Sequence, residues 1–433
     1  MSGTIPAEPS SEEPGRLEFP CVNCGRRLRV PASVRGEVKC PGCQQVQPVP
    51  VAQQATVATP TPIATSSTPA ASSPSQPGTI AAAAAERPTD LGRARSAATP
   101  NMLRLQMPTL GDSSLPRTPT RELFERIVEQ IAKLYVGQEE LVLGTLVALF
   151  SGGHVLIESV PGLGKTLFVR TLGRVLGCQF GRIQFTADLM PSDITGAPIF
   201  DMKTQEFRFR PGPVFTQLLL ADEINRSPAK THAALLETMQ EYRVTVDGVS
   251  HLLQRPFLVL ATQNPIESEG TYNLPEAQLD RFMFKLVAGY PAEFEEARIL
   301  ELHSQLVDIN QRLETEVQTV TSPEEILRTS IANAQVRVEP KLIDYINRIV
   351  RQTRQWPSFH MGASPRAGLA LMQGARTLAA FHGRDYAVPD DVTQIALPVL
   401  RHRVILTAEA DVEGHRMDDL LAAMIRSIEV PRS

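Results

Sequence analysis

Residues 154–177 read HVLIESVPGLGKTLFVRTLGRVLG, and this stretch decides the fold class. The apolar run over 154–159 predicts a buried strand, and apolar residues at helical spacing over 166–177 predict a helix. Between them lies a glycine-rich loop that ends in Gly-Lys-Thr (164–166). Such a loop lets successive backbone N–H groups converge on phosphate oxygens, and the following helix presents its positive end to them. The stretch therefore predicts a phosphate-binding loop between a strand and a helix.

We expect every residue of this loop to contact a nucleotide: Ser159, Val160, Pro161, Gly162, Leu163, Gly164, Lys165 and Thr166. Lys165 would reach the β- and γ-phosphates, and the Thr166 hydroxyl would be a ligand of Mg²⁺. The usual pattern begins with glycine, whereas this chain has Ser159 there. A serine would be strained only if the backbone at that position had a positive φ. We expect an active site in which the serine costs little.

Two further apolar runs end in polar residues that suit the same chemistry. LLLADE (218–223) ends in Asp222, which would hold Mg²⁺, and Glu223, which would orient and polarise the attacking water. LATQNP (260–265) carries Asn264, which could hydrogen-bond the γ-phosphate or that water, since a buried amide needs a partner. Taken alone, the acids could be surface residues and the asparagine an Asn-Pro turn. Beside the loop, the three segments together predict a phosphoryl-transfer site.

The order of the segments predicts the architecture. Helical and strand patterns alternate over residues 119–290, which predicts an α/β core with a mostly parallel sheet covered by helices on both faces. Over 291–433 helical patterns dominate, so we expect an all-helical lid domain.

The cysteines indicate a separate small domain over residues 21–50. Cys21 and Cys24 form one Cys-x₂-Cys pair, and Cys40 and Cys43 form a second. Two such turns can complete a tetrahedral site, and so short a segment needs a metal to be stable. The spacing predicts structural Zn²⁺ in a zinc-ribbon-like domain, with iron as the alternative. Its basic residues could contact nucleic acid, but a solvated face on a docking module is slightly favoured.

The flanking segments have little with which to build a core. Residues 1–20 are polar and acidic, and residues 51–118 are rich in Ala, Thr, Ser and Pro. We expect both to be disordered, the second as a linker. The apolar cluster NMLRLQMPTL (101–110) could be a docking patch, but we interpret it as linker.

Several longer segments resemble the MoxR family of AAA+ ATPases, over roughly residues 120–430 and outside the cysteine-rich segment and the linker. The matching words are VPGLGKT (160–166), RPGPVF (210–215), ADEINRSPAKTHAALLETMQE (221–241), ATQNPIESEGTYNLPEAQLDRFMFK (261–285) and GASPRAGLAL (362–371). The resemblance implies a P-loop AAA+ core with a helical lid. It also implies an Mg²⁺- and ATP-dependent ATPase that forms a ring, expected to be hexameric.

The resemblance also implies roles for residues outside the loop. In VGQEE (136–140), the backbone of Val136 and Gly137 would flank the adenine. Arg366, in GASPRAGLAL, resembles the sensor 2 arginine, a lid residue that would contact the phosphates. The alternative for Arg366 is an ordinary arginine on the lid surface.

Arg281, in LDRF, resembles the arginine finger that reaches the γ-phosphate of a neighbouring subunit. Such an arginine offsets charge on the phosphoryl group that is transferred. The alternative is a surface arginine paired with Asp280 or Glu276.

Two hairpins are predicted, over 197–213 and over 242–253, the second with Asp247 and Gly248 at its turn. In ring ATPases such loops often face the central channel or the client, although packing or contacts between subunits would also explain them.

The resemblance implies a chaperone-like protein that remodels or activates protein complexes, often with a von Willebrand factor A domain partner. The net charge of −4 makes the whole chain no obvious polyanion binder. The most apolar stretch, over 141–150, is too short to span a bilayer, and the polar N-terminus lacks the apolar core of a secretory signal, so we expect a cytoplasmic protein without membrane insertion. The alternative function is a nucleic-acid motor that binds DNA through the basic residues near the cysteines, which is not favoured. A scaffold without hydrolysis is a further alternative, against which the complete set of catalytic residues argues.

Overall fold

The computed structural model describes residues 16–20, 27–31, 37–44, 46–48, 103–111, 115–264, 272–304 and 308–431. By its contacts the chain divides into two units, Met1–Glu86 and Arg87–Ser433. No helix in these described ranges is long and apolar enough to cross a membrane. Cys21, Cys24 and most of the expected linker lie outside the described residues, so what the sequence predicts for them stays a prediction.

The described residues of the first unit form two antiparallel strand pairs. Its strands are β1 (Arg16–Pro20), β2 (Arg27–Pro31), β3 (Glu37–Lys39) and β4 (Val46–Pro48), paired β1 with β2 and β3 with β4. The prediction of disorder over 1–20 is therefore wrong for 16–20. Leu17 and Phe19 alternate with polar residues there, which suits a strand once β2 is available as a partner.

The second unit has eleven strands and fourteen helices among its described residues. The strands are β5 (Val155–Ser159), β6 (Phe180–Gln184), β7 (Gly196–Asp201), β8 (Glu206–Pro211), β9 (Leu218–Asp222), β10 (Arg243–Val246), β11 (Val249–Leu252), β12 (Leu258–Gln263), β13 (Phe284–Ala288), β14 (Phe359–Met361) and β15 (Ile405–Leu406). The helices are α1 (Pro119–Ala132), α2 (Glu139–Phe150), α3 (Lys165–Leu176), α4 (Pro191–Thr195), α5 (Ala229–Glu241), α6 (Glu276–Leu279), α7 (Glu293–Ser304), α8 (Ile309–Glu316), α9 (Pro323–Asn333), α10 (Pro340–Thr353), α11 (Pro365–Phe381), α12 (Pro389–Leu400), α13 (Ala408–Val412) and α14 (Met417–Ser427).

Five strands form the central parallel sheet, in the order β13-β5-β12-β9-β6. Leu218 and Leu220 of β9 pack in one apolar cluster, whereas Leu219 and Ala221 pack in another. Successive side chains of a strand point to opposite faces, so both faces of the sheet are covered. The predicted α/β core is confirmed, and the carboxyl ends of its strands share one edge.

The predicted hairpins are confirmed as β7–β8 and β10–β11. Asp247 and Gly248 have φ of 48° and 78°, as a tight turn between antiparallel strands requires. The tip of β7–β8 carries exposed apolar side chains, including Met202 and Phe207. Whether either hairpin faces a channel or a client stays a prediction.

Residues 103–111 belong to the folded body rather than to the linker. Leu103 and Leu105 are buried in the main apolar cluster, and Met107 packs against it. The Gln106 N–H donates to Gln394 Oε1 of α12 at 3.2 Å. The linker prediction over 51–118 is wrong for this part, because the alternating apolar residues pack against the body instead of facing solvent.

The lid is mostly helical, from α7 to α14, but it also contains the antiparallel pair β14–β15. The expectation of an all-helical lid is wrong in this detail. Phe359 is buried where β14 meets β15, and the Thr407 N–H donates to Ser358 O at 3.0 Å. Segments this short give too little alternation for a sequence pattern to reveal them.

Candidate nucleotide-binding site

The glycine-rich loop has the backbone geometry that a phosphate site requires. Gly162 and Gly164 have φ of 87° and 69°, a region that residues with a side chain seldom adopt. Helix α3 begins at Lys165, directly after the loop, so its N-terminal N–H groups face the loop. Ser159 is the last residue of β5 and pairs with Ala288 of β13, so its backbone is extended and a serine is not strained there.

The Ser159 side chain contacts the lysine of the loop. Lys165 Nζ donates to Ser159 Oγ at 2.9 Å, and the serine is buried. Burial lowers the pKa of Lys165, while the nearby carboxylates of Asp222 and Glu223 act in the opposite direction. A glycine at position 159 would offer no hydroxyl, so the departure from the usual pattern adds a contact that holds the amine over the loop.

Thr262 of β12 joins the two acids at the end of β9. Its hydroxyl donates to Asp222 Oδ1 at 2.7 Å and accepts the Glu223 N–H at 2.8 Å. Glu223 has a φ of 56°, a strained value for a residue with a side chain, and this hydrogen bond helps to hold it. Sequence reasoning missed Thr262; the only signal was a hydroxyl inside the apolar strand LVLATQ (258–263).

Replacing Thr262 with valine should lower the turnover of ATP by about tenfold to a hundredfold, because the carboxylates would lose their alignment. The free energy of unfolding should fall by about 1–3 kcal/mol, since the partly buried Glu223 N–H would lose its partner. Steady-state ATPase assays and thermal unfolding measure the two effects. Thr262→Ser keeps the hydroxyl and is the matched control. A Thr262→Val chain with wild-type turnover would remove this positioning role.

Three more side chains contact the acids, and the sequence patterns point to neither Arg182 nor Gln184. Arg182 Nη2 donates to Asp222 Oδ2 at 2.7 Å, and Gln184 Nε2 donates to Glu223 Oε2 at 2.6 Å. Arg226 forms an ion pair with Glu223 at 3.3 Å. Arg182 and Gln184 lie on β6, whose register sets Gln184 opposite Asp222.

Asn264 follows β12 directly and is buried. Gln263, the residue before it, pairs with Glu158 of β5, so Asn264 lies at the same sheet edge as the start of the loop. The structure therefore brings Asn264, Lys165 and the acids of β9 to one edge, as the sequence predicts.

A cavity of about 460 Å³ opens beside the loop. It is lined by Leu134, Tyr135, Val136, Gln138, Pro161, Gly162, Leu163, Gly164, Leu167, Tyr290, Pro291, Glu296, Ile299, Leu300, Leu302 and His303. Gly137 has a φ of 74°, and a Cβ there would lie 2.8 Å from the Glu295 carboxylate oxygens. The mostly apolar lining suits a nucleotide base. Val136, Gly162 and Gly164 line this cavity, whereas Gly137 is not among its lining residues, and the contribution of α7 was missed.

The two predicted arginines lie elsewhere. Arg281 precedes β13, which runs parallel to β5, so Arg281 lies at the edge opposite the loop. A strand as long as β13 spans about 17 Å. Asp280, the expected alternative partner of Arg281, instead accepts from Arg403 Nε at 2.8 Å and from Ser364 Oγ at 2.9 Å. Within the described ranges Arg281 forms no ion pair.

Arg366 is exposed in the first turn of α11, two residues after Ser364. The hydrogen bond from Ser364 to Asp280 therefore brings Arg366 to the same side of the molecule as Arg281. Burial is the main cause that lowers the pKa of Arg403, and the charge of Arg366 adds to it. The structure thus groups Arg281 with Arg366, and separates both from Lys165 of the same chain.

Comparisons with known proteins agree with this geometry. Residues 154–284 match the ATPase family associated with various cellular activities (AAA), and residues 351–423 match the AAA lid domain. The chain is 46% identical to the uncharacterized protein YeaC of Bacillus subtilis over 309 residues, which cover 71% of this chain and 95% of that protein. It is 43% identical to the chaperone MoxR1 of Mycobacterium tuberculosis over 319 residues, covering 71% and 82%.

A crystal structure of a candidate ATPase from Cytophaga hutchinsonii is 38% identical, with a TM-score of 0.67, and the match covers 72% of this chain and 96% of that one. The similarity thus extends over core and lid alike. The chain belongs to the MoxR family of AAA+ ATPases.

Proposed function

We propose that this chain hydrolyses ATP to ADP and phosphate in a ring of identical subunits, and uses the energy to remodel or activate protein complexes. The observation that carries the proposal is the meeting of Lys165, Asp222, Glu223 and Asn264 at one edge of the sheet, with Thr262 bonded to both acids. The relative MoxR1 is named a chaperone, which supports a role in acting on other proteins. A hexamer and a von Willebrand factor A domain partner are part of this proposal.

Each of these residues has a defined task. The loop N–H groups and Lys165 would bind the phosphates, and the Thr166 hydroxyl and Asp222 carboxylate would hold Mg²⁺. The magnesium ion supplies positive charge against the phosphate oxygens. Glu223 would orient the water whose oxygen attacks the γ-phosphorus, while the bond from that phosphorus to the bridging oxygen of ADP breaks. Asn264 would hydrogen-bond the γ-phosphate or that water.

We infer that a complete site needs two subunits. Arg281 lies at the sheet edge opposite the loop, and Arg366 lies on the same side of the molecule as Arg281, so both would reach the nucleotide of a neighbour rather than their own. Such contacts join two different faces of identical subunits. They generate a closed ring when the rotation from each subunit to the next adds up to a full turn.

The direct test of ATP hydrolysis is phosphate release by the purified full-length chain with and without Mg²⁺. We expect turnover that requires Mg²⁺ and falls to background in Lys165→Ala. Lys341→Ala, an exposed lysine on α10, is the matched control and should keep the wild-type rate. Equal phosphate release from the wild type and the Lys165→Ala chain would contradict the proposed activity.

We also propose that the cysteine-rich segment binds structural zinc through Cys21, Cys24, Cys40 and Cys43. Cys40 is buried, and the Gly42 N–H points to its Sγ at 3.4 Å. Cys43 ends the turn between β3 and β4 that begins after Cys40. A thiolate that ligates a metal accepts such N–H groups well, so this half of the site fits zinc. The described residues by themselves hold no cluster of three metal ligands.

Metal analysis of the reduced, folded chain should find about one zinc per chain, held by four thiolates. The Cys40→Ser/Cys43→Ser double variant should lose it, because two ligands cannot hold the ion. Cys178→Ser is the control, since that cysteine is buried beside α3 in the second unit and should not affect metal content. A folded, reduced wild-type chain that contains no zinc would contradict the proposed zinc site.

A further inference from the structure

A second cavity, of about 490 Å³, lies away from the nucleotide loop. Its walls come from the end of α2, from the segment before β12, and from α9 and α11 of the lid. None of its lining residues lines the cavity beside the loop. Its volume falls in the range of small-molecule sites, which is about 300–1,000 Å³.

The charged residues that line this cavity are all positive. Arg255 and Arg376 are its charged lining residues, and no lining residue is a carboxylate. Nε of Arg376 is shielded from solvent and has no hydrogen-bond partner in the described part of the chain. The Arg255 guanidinium lies 4.1 Å from the centre of the Tyr242 ring, and it forms no ion pair with any described residue.

A third polar group is incompletely satisfied. Asn333 is 2% exposed, and its Oδ1 accepts from the Thr120 hydroxyl at 3.3 Å, while Nδ2 has no partner among the described residues. The hydroxyl groups of Ser151 and Thr377, in contrast, have a hydrogen-bond partner, because they bond each other at 2.8 Å. The unsatisfied groups are therefore those that suit an anion.

We propose that this cavity binds a small organic anion. Its phosphate or carboxylate group accepts hydrogen bonds from Arg376 and Asn333, with Arg255 nearby. Its apolar body lies against Phe257, Leu327 and Ile331, which line the same cavity. Because these residues come from both the core and the lid, the bound anion joins the two. A buried donor without a partner is costly in a folded protein, and the anion relieves that cost.

The test is calorimetric titration of the full-length chain, with ADP and Mg²⁺ saturating in every sample so that phosphates cannot enter the loop. The probes are phenyl phosphate, benzoate, inorganic phosphate and benzyl alcohol. We expect saturable binding of phenyl phosphate, benzoate or both, weaker binding of inorganic phosphate, and none of benzyl alcohol. Whichever of phenyl phosphate and benzoate binds more tightly identifies the preferred anionic group. Absence of saturable binding by both aromatic anions, or equal binding of benzyl alcohol, overturns the proposal.

Variants locate the site. Arg376→Met and Asn333→Leu should each weaken the better probe at least about tenfold, as expected for lost hydrogen bonds to a charged group. Arg351→Met, an exposed arginine on α10 outside the cavity, is the matched control. If Arg376→Met does not fold, Arg255→Met with Asn333→Leu decides the question. Wild-type affinity in the folded variants overturns the assignment.

Discussion

Chains that carry Glu223→Gln should bind ATP about as tightly as the wild type and hydrolyse it at least about a hundredfold more slowly, the usual cost of losing a general base. The neutral amide cannot polarise water as the carboxylate does. Binding should survive because Lys165 and the loop glycines are untouched. The fold should survive as well, since the Thr262 hydroxyl bonds the backbone of residue 223 rather than its side chain.

Affinity for a fluorescent ATP analogue and the rate of phosphate release measure the two quantities separately. Glu409→Gln, an exposed residue of α13, is the matched control and should change neither. Turnover that stays at the wild-type level in Glu223→Gln would mean that Glu223 does not orient the attacking water. Loss of binding together with turnover would instead mean that the acid helps to hold the nucleotide.

Arg281→Ala should lower turnover by about a thousandfold or more, while the affinity for ATP changes little. The expected loss is large because an arginine finger offsets charge that grows in the transition state. Affinity should persist because Arg281 lies at the sheet edge opposite the loop of its own chain. Its neighbour Asp280 stays paired with Arg403, so the contact between core and lid should survive as well.

The same two assays apply, with Arg328→Ala on α9 as the matched control because that arginine is exposed. An equal fall in affinity and in turnover would place Arg281 at the nucleotide of its own chain. Unchanged turnover would mean that Arg281 is an ordinary surface arginine, which is the alternative given by the sequence analysis.

Features fixed by neighbouring residues could be predicted from the sequence. The loop, its strand and its helix occupy one short stretch, and Gly162 and Gly164 alone account for its backbone. The hairpin β10–β11 follows in the same way from Asp247 and Gly248 at its turn. In each case the conformation depends on residues next to each other in the chain.

Features that depend on distant pairing could not be predicted. The strand β6 reads FGRIQ and lies at one edge of the sheet, and two of its five residues, Arg182 and Gln184, are polar. Only the register of β6 against β9 brings Arg182 and Gln184 to the acids. Thr262 likewise meets Asp222 only because β12 lies beside β9. The burial of Leu103 and Leu105 also arises from packing against distant elements.

The measurement that tests the central claim most directly is the ATPase activity of mixed subunits. Glu223→Gln chains keep Arg281 but cannot activate water, whereas Arg281→Ala chains keep Glu223 but lack the arginine. In mixed rings, an Arg281→Ala chain next to a Glu223→Gln chain has a complete site. With tagged chains to verify that subunits mix, turnover should exceed the sum of the two separate samples and should be greatest at intermediate ratios. Turnover that equals that sum at every ratio would contradict a site shared between two subunits.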